Sequence, residues 1–192
     1  ISFLPVMLEK GRNDLIFRCV RERVKARLYP PPKPVFFNAN DLTVPDLVVG
    51  RVTDAWGAIV VVNASTERLD NLYIQAAIPG SRERTNVKVP AIQPLSVRKV
   101  GFLLEGALPD SAGATDVVVT LKRRRPGADR IDVLLDKAVI PFRIVTSGDN
   151  RRETFISAVD GSVQYFGINP AFTGNTKKPL ALFLSLHGAS VE

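Results

Sequence analysis

The sequence predicts an all-β chain, on three observations. Fourteen prolines and thirteen glycines divide its 192 residues, no window between them holds apolar residues at i, i+3, i+4 and i+7 for the length of a helix, and short runs rich in Val, Ile and Phe recur between turn signals. With 45% hydrophobic and 23% charged residues the composition is that of a folded chain. No apolar run reaches the ~18 to 20 residues that span a bilayer, the longest being 180–186, so no membrane span is expected.

Residues 1–34 open with strand-like stretches and end in Tyr29-Pro30-Pro31-Pro32-Lys33-Pro34, where four prolines impose an extended linker. The start at Ile1 shows neither a basic n-region nor a cleavage site, and reads as a piece of something longer. Between residues 35 and 147 lie seven strand candidates, at 46–53, 56–63, 71–78, 85–89, 96–104, 116–121 and 132–144, the size and strand count of an immunoglobulin-like β-sandwich. Alternating positions place Val60, Val62, Leu72, Ile74, Phe102, Val117, Val119 and Leu134 in its core. Residues 148–192 begin with a hairpin, 155–159 and 163–168, joined through Asp160-Gly161. A third strand, 180–186, is apolar at every position but Ser185, as a strand covered on both faces would be.

The formal charge of +7 is uneven: 8 Lys/Arg against 3 Asp/Glu in residues 1–34, 14 against 12 in 35–148, and 4 against 4 beyond. Arg21, Arg23, Lys25 and Arg27 alternate with other residues as on a solvated strand face, and the run 122–127, Lys-Arg-Arg-Arg-Pro-Gly, reads as a hairpin loop with no aromatics for base stacking. No nucleic acid is expected as a partner. One cysteine, Cys19, and one histidine, His187, exclude an internal disulfide framework and a His/Cys metal cluster, and no cofactor is implied. Cys19 reads as a small buried hydrophobe, and Trp56 as a packing residue beside a strand start. Asn63-Ala64-Ser65 satisfies a glycosylation sequon, but Asn63 reads as a turn residue.

Three local resemblances add to this reading. The stretch 57–65 followed by Leu69-Asp70-Asn71-Leu72 is similar to the early strands of bacterial immunoglobulin-like and fibronectin-type modules, where a strand ends in Asn and "L-x-x-L" opens the next. Glu9-Lys10-Gly11-Arg12-Asn13 with the apolar residues after it resembles a turn and strand near the end of galactose-binding-like jelly rolls, in which Gly and Asn make the turn. At the other end, a hairpin, an apolar strand and then His187-Gly188 resemble the opening of the α/β-hydrolase domain of prolyl-oligopeptidase-like peptidases and esterases. That resemblance implies an oxyanion loop at His187, Gly188, Ala189 and Ser190, one backbone N–H of which would stabilise negative charge on the attacked carbonyl oxygen. Ser190 also sits in a near-match to the G-x-S-x-G elbow, but Glu192 replaces the last Gly and the family's nucleophile comes later in the chain, so no catalytic residue is assigned here.

The sequence reading is therefore an inactive accessory region of a multidomain serine hydrolase: the end of a jelly-roll-like domain at 1–34, a sandwich at 35–147 and the first three hydrolase strands at 148–192. Its partners would be the rest of the hydrolase domain and, through 180–186, a second copy. The setting would be extracytoplasmic or secreted and bacterial. The alternative is a self-contained β-sandwich module for adhesion or carbohydrate binding.

Overall fold

The structure is a computed structural model, and it describes residues 3–17, 24–81, 84–108, 110–124, 132–171 and 181–185. Among these the fold is all-β, with ten strands: β1 (Val35–Thr43), β2 (Leu47–Val48), β3 (Val52–Asn63), β4 (Leu72–Ala77), β5 (Thr85–Val89), β6 (Ser96–Ala107), β7 (Gly113–Arg124), β8 (Asp132–Val145), β9 (Arg151–Ile156) and β10 (Val163–Ile168). No helix of the described residues is long and apolar enough to cross a membrane.

The first eight strands make a sandwich. One sheet has the order β1-β3-β6 and the other β2-β8-β7-β4-β5; β2 runs parallel to β8 and the other pairs are antiparallel. The chain crosses between sheets after β1, β2, β3, β5 and β6, and stays within one sheet only from β4 to β5 and from β7 to β8. This is the three-plus-four arrangement of an immunoglobulin-like sandwich with a short added edge strand. The core lies between the sheets, where Ile59, Val61, Leu72, Ile74, Phe102, Val117, Val119, Leu121, Ile140 and Phe142 are fully buried. Each such side chain stabilises by roughly 1.5 to 3 kcal/mol. Both leucines of the Leu69-Asp70-Asn71-Leu72 motif enter this core, and Asn71 turns the chain between them with φ +57°.

Two of the expected inward residues face the other way. Val60 and Val62 lie on the outer face of the three-stranded sheet with Phe36, under Phe3. The run 58–62 is apolar at every position, so alternation within it does not say which face is inside. Leu134 is 54% exposed: a register shift between Leu121 and Lys122 gives β8 one extra residue, and every β8 side chain before it changes face.

The stretch before the sandwich carries no strand in its described residues, including the 24–28 part of the alternating basic run. Gly11 and Asn13 do form a turn: Asn13 accepts from the Glu9 N–H at 2.9 Å and donates to the Glu9 and Gly11 carbonyls, with Gly11 at φ +110°. Lys122, Arg123 and Arg124 belong to β7 rather than to a loop. Cys19 lies outside the described residues.

The α/β-hydrolase resemblance does not survive. β9 and β10 pair only with each other, through a six-residue connection rather than a two-residue turn. The described part of the expected third strand, 181–185, pairs with nothing as a strand, and Leu182 and Phe183 are 96% and 89% exposed. A strand that opens a parallel sheet is buried on both faces, and the apolar composition of this run implies a burial that its described residues do not have. The serine esterase or peptidase reading, which rests on that resemblance, falls with it.

Candidate functional site

The expected oxyanion residues His187, Gly188, Ala189 and Ser190 lie outside the described residues. The sandwich itself has two outer surfaces, and the β9-β10 hairpin covers part of one of them.

Asp46, in the connection between β1 and β2, fastens the hairpin to the sandwich. Its side chain is only 4% exposed. Arg143 of β8 donates to both carboxylate oxygens, from Nε at 3.1 Å and Nη2 at 2.7 Å, and the Arg152 N–H of β9 donates at 2.8 Å. The Asp46 N–H in turn donates to the Arg152 carbonyl. Further along, Thr154 Oγ1 donates to the Trp56 carbonyl, and Val163 packs at Gly101, where any added Cβ would lie 3.3 Å from both Val163 and the Trp56 ring. Trp56 is thus a packing residue, as its sequence context implies. The turn from β8 into β9 is closed by Asp149, which accepts from the Thr146 N–H and hydroxyl at 2.8 Å and titrates below the usual carboxylate range for that reason.

Burial raises the pKa of Asp46, but the hydrogen bonds from Arg143 and the Arg152 N–H outweigh it, and the net result lies below the ordinary value of 3.8. A carboxylate held below its unfolded value stabilises fully above that value, and the contribution is lost as pH falls through the lowered one. We expect the hairpin to lift away in acid, with Trp56, the only tryptophan, reporting the change by its emission. Asp46→Asn should show the lifted emission already at pH 7, because the Arg152 hydrogen bond to a charged group, worth about 1.5–3 kcal/mol, becomes a weaker neutral one. Identical emission of variant and wild type at pH 7 would mean that Asp46 does not hold the hairpin.

A cleft of about 150 Å³ opens between the hairpin loop and the outer face of the three-stranded sheet, lined by Thr43, Lys99, Ser162 and Gln164 among others. Its one cation, Lys99, is held by Asp41 at 2.6 Å. Among the described residues no three His, Cys, Asp or Glu side chains come together as a metal site.

The outer face of the five-stranded sheet is different in character. Pairing aligns Lys88, Tyr73, Lys122 and Leu134 in one row across β5, β4, β7 and β8, and Asn86, Gln75, Thr120 and Lys137 in the next. The rows are tied into a ladder: Lys122 Nζ donates to Gln75 Oε1 at 3.1 Å, and Gln75 Nε2 donates to Asn86 Oδ1 at 3.3 Å. These two rows carry three ammonium groups and no carboxylate. At the loop end, Arg124 lies over the Tyr73 ring at 5.6 Å and beside Asp132 at 3.8 Å. Burial, then the hydrogen bond it donates to the Asp132 carboxylate and the charge of that carboxylate, push the Tyr73 phenol up to about 12, so it stays a neutral donor. Single strands do show the signal, since Asn86, Lys88, Tyr73, Gln75, Thr120 and Lys122 occupy the polar phase of a period-2 pattern. Their gathering on one face depends on which strands are neighbours, and no single strand contains that.

No family model matches the chain, and no curated protein matches it. Among solved structures it is similar to the ASH / PapD-like domain of human CEP192 (PapD-like domain 7), at 11% identity and a TM-score of 0.31, over 68% of this chain and 96% of that one.

Proposed function

We propose that this chain is a carbohydrate-binding β-sandwich module that presents the outer face of its five-stranded sheet to the ligand. One observation carries the reading: the two sheets differ in what covers them. The outer face of β1-β3-β6 is occupied at one end by Phe3, which meets Phe36 and Tyr29 edge-on, and at the other by the hairpin at Trp56 and Gly101. On the outer face of β2-β8-β7-β4-β5 no described strand packs, and its middle is a ladder of amide, hydroxyl and ammonium groups rather than apolar surface. Polar donors and acceptors fixed on strands suit a hydroxyl-rich ligand, because the rigid sheet has already restricted the side chains that must be ordered on binding. The working unit is the sandwich of residues 35–147 with the hairpin fastened to it through Asp46.

Affinity electrophoresis through gels containing neutral or acidic polysaccharides tests this. Retardation in at least one gel is expected, and Gln75→Ala with Asn86→Ala, which removes the centre of the ladder without touching the core, should abolish it. Free migration in every gel, or retardation indifferent to the double substitution, would end the proposal.

A further inference from the structure

We infer that the ligand of this face is an acidic polysaccharide of low charge density, one carrying carboxylates spaced along a hydroxyl-rich chain. This rests on the reading of the five-stranded sheet as the binding face and adds the chemistry of what it takes. Lys88 and Lys122 stand in one row with Tyr73 between them, two strand spacings or about 10 Å apart. Lys137 stands in the adjoining row beside Thr120, on the diagonal from Lys122 at about 7–8 Å. Three cations therefore lie at the corners of a patch whose interior is Tyr73, Gln75 and Thr120. Neither row contains a carboxylate to neutralise them; the acidic groups of the sheet, Asp116, Asp132 and Asp136, lie outside the two rows, and Asp136 is paired with Lys33.

The spacing decides between polyanions. Duplex DNA presents a charge every ~1.7 Å along its axis, and a partner of that density is met by closely set cations with free arginine forks. Here Arg124 is engaged with Tyr73 and Asp132 and Arg143 with Asp46, and Arg123 stands in the row of Leu72 and Val133 rather than in either polar row. What remains are separated ammonium groups with neutral hydrogen-bonding side chains between them. That alternation matches a chain in which hydroxyl-bearing stretches separate single carboxylates. An acidic peptide fits less well. An extended peptide gains its main-chain hydrogen bonds at a sheet edge, whereas Tyr73, Gln75, Thr120 and Lys122 sit on β4 and β7, interior strands whose backbone groups are paired on both sides.

The test uses the full chain and hyaluronate, whose carboxylates fall on alternate sugars only, with dextran, heparin, polyglutamate and duplex DNA as the comparison set, at two salt concentrations. Binding to hyaluronate should be the tightest of the five and should weaken as salt rises. Lys88→Gln, Lys122→Gln and Lys137→Gln together should lower that affinity tenfold or more. The matched triple Lys10→Gln, Lys25→Gln and Arg27→Gln, which removes equal charge from the amino-terminal segment, should leave it within twofold. Thermal melts of both triples check that each remains folded. Dextran bound as tightly as hyaluronate, with sensitivity to Gln75→Ala, would overturn the charge inference and leave the binding face standing. Tighter binding to heparin or DNA would overturn the low-density assignment, and equal binding of polyglutamate would overturn the polysaccharide. Equal losses in the two triples would show that net charge acts without this face.

Discussion

Gly57→Ala should lower the melting temperature by roughly 10 °C, and Gly57→Val should prevent stable folding. Gly57 on β3 is paired with Phe102 on β6, and the fully buried Phe102 ring lies across the glycine. A Cβ built at position 57 would stand 2.4 Å from Phe102 Cζ and 2.6 Å from Cε2, well inside the closest approach that carbon atoms make. The ring has nowhere to go, because it is part of the cluster that holds Ile59, Val100 and Leu104 between the sheets. Overpacking a tight core costs about 1–3 kcal/mol for a small addition, and a domain of this size loses a few degrees for each kcal/mol. Two more methyl groups exceed what a total stability of ~5–15 kcal/mol can absorb alongside the strain they impose. The pair also makes its own control. Phe102→Leu alone opens a void and destabilises, yet combined with Gly57→Ala it makes room for the new methyl, so the double variant should be more stable than the sum of the two losses predicts. Calorimetry showing strictly additive losses, or Gly57→Ala melting with the wild type, would mean that the ring does not lie over Gly57.

The same pair shows where the sequence is legible. Strand existence was readable because β4, β5 and β7 alternate cleanly: Leu72, Ile74, Val117, Val119 and Leu121 are buried while Tyr73, Gln75 and Lys122 are not. Facing was unreadable in 58–62, where both phases are apolar because both faces of β3 are covered, one by the core and one by Phe36 and Phe3. The inward position of Leu134 failed for another reason, the extra residue in β8, which no periodicity announces. Strand β1 was missed altogether, since Asn38, Asn40 and Asp41 break its apolar pattern; Asn38 is nonetheless buried. The hydrolase resemblance failed because a local order of hairpin, apolar run and His-Gly says nothing about whether the run joins a sheet. The candidate binding face could not be read for a related reason. Its lysines lie in residues 88, 122 and 137, and only the pairing of β5 with β4, β4 with β7 and β7 with β8 brings them together.

Asn63→Asp, a change of one atom, should cost about 3–5 kcal/mol and should do so in a way that pH reveals. Asn63 ends β3 with no exposed surface and makes four hydrogen bonds. Nδ2 donates to the carbonyls of Glu67 and Gln93, each at 2.8 Å, and Oδ1 accepts from the Ser65 N–H at 3.1 Å and the Ser65 hydroxyl at 2.7 Å. It thereby ties the connection after β3 to the one before β6, beside the Leu69–Ile92 bridge. Nδ2 is the atom a glycan would occupy, and both of its protons are committed, so the sequon is a structural cap and mass spectrometry of protein made in a glycosylating host should find Asn63 unmodified. A carboxylate in the same place would set an oxygen against two carbonyl oxygens at hydrogen-bond distance, in a site buried from bulk solvent. Protonation would relieve the repulsion by restoring one donor, so the new carboxyl group should titrate above its unfolded value. The sign of the linkage follows: the penalty is full above that raised pKa and shrinks as pH falls through it, so the stability gap between wild type and Asn63→Asp should narrow in acid. Asn63→Ala also breaks the cap but adds no charge, and its gap should change little with pH over the same range. Denaturant unfolding of all three proteins at pH 7 and pH 5 reads both gaps. A gap for Asn63→Asp that is small at pH 7, or that stays constant between the two pH values, would show that the Asn63 amide does not face the Glu67 and Gln93 carbonyls.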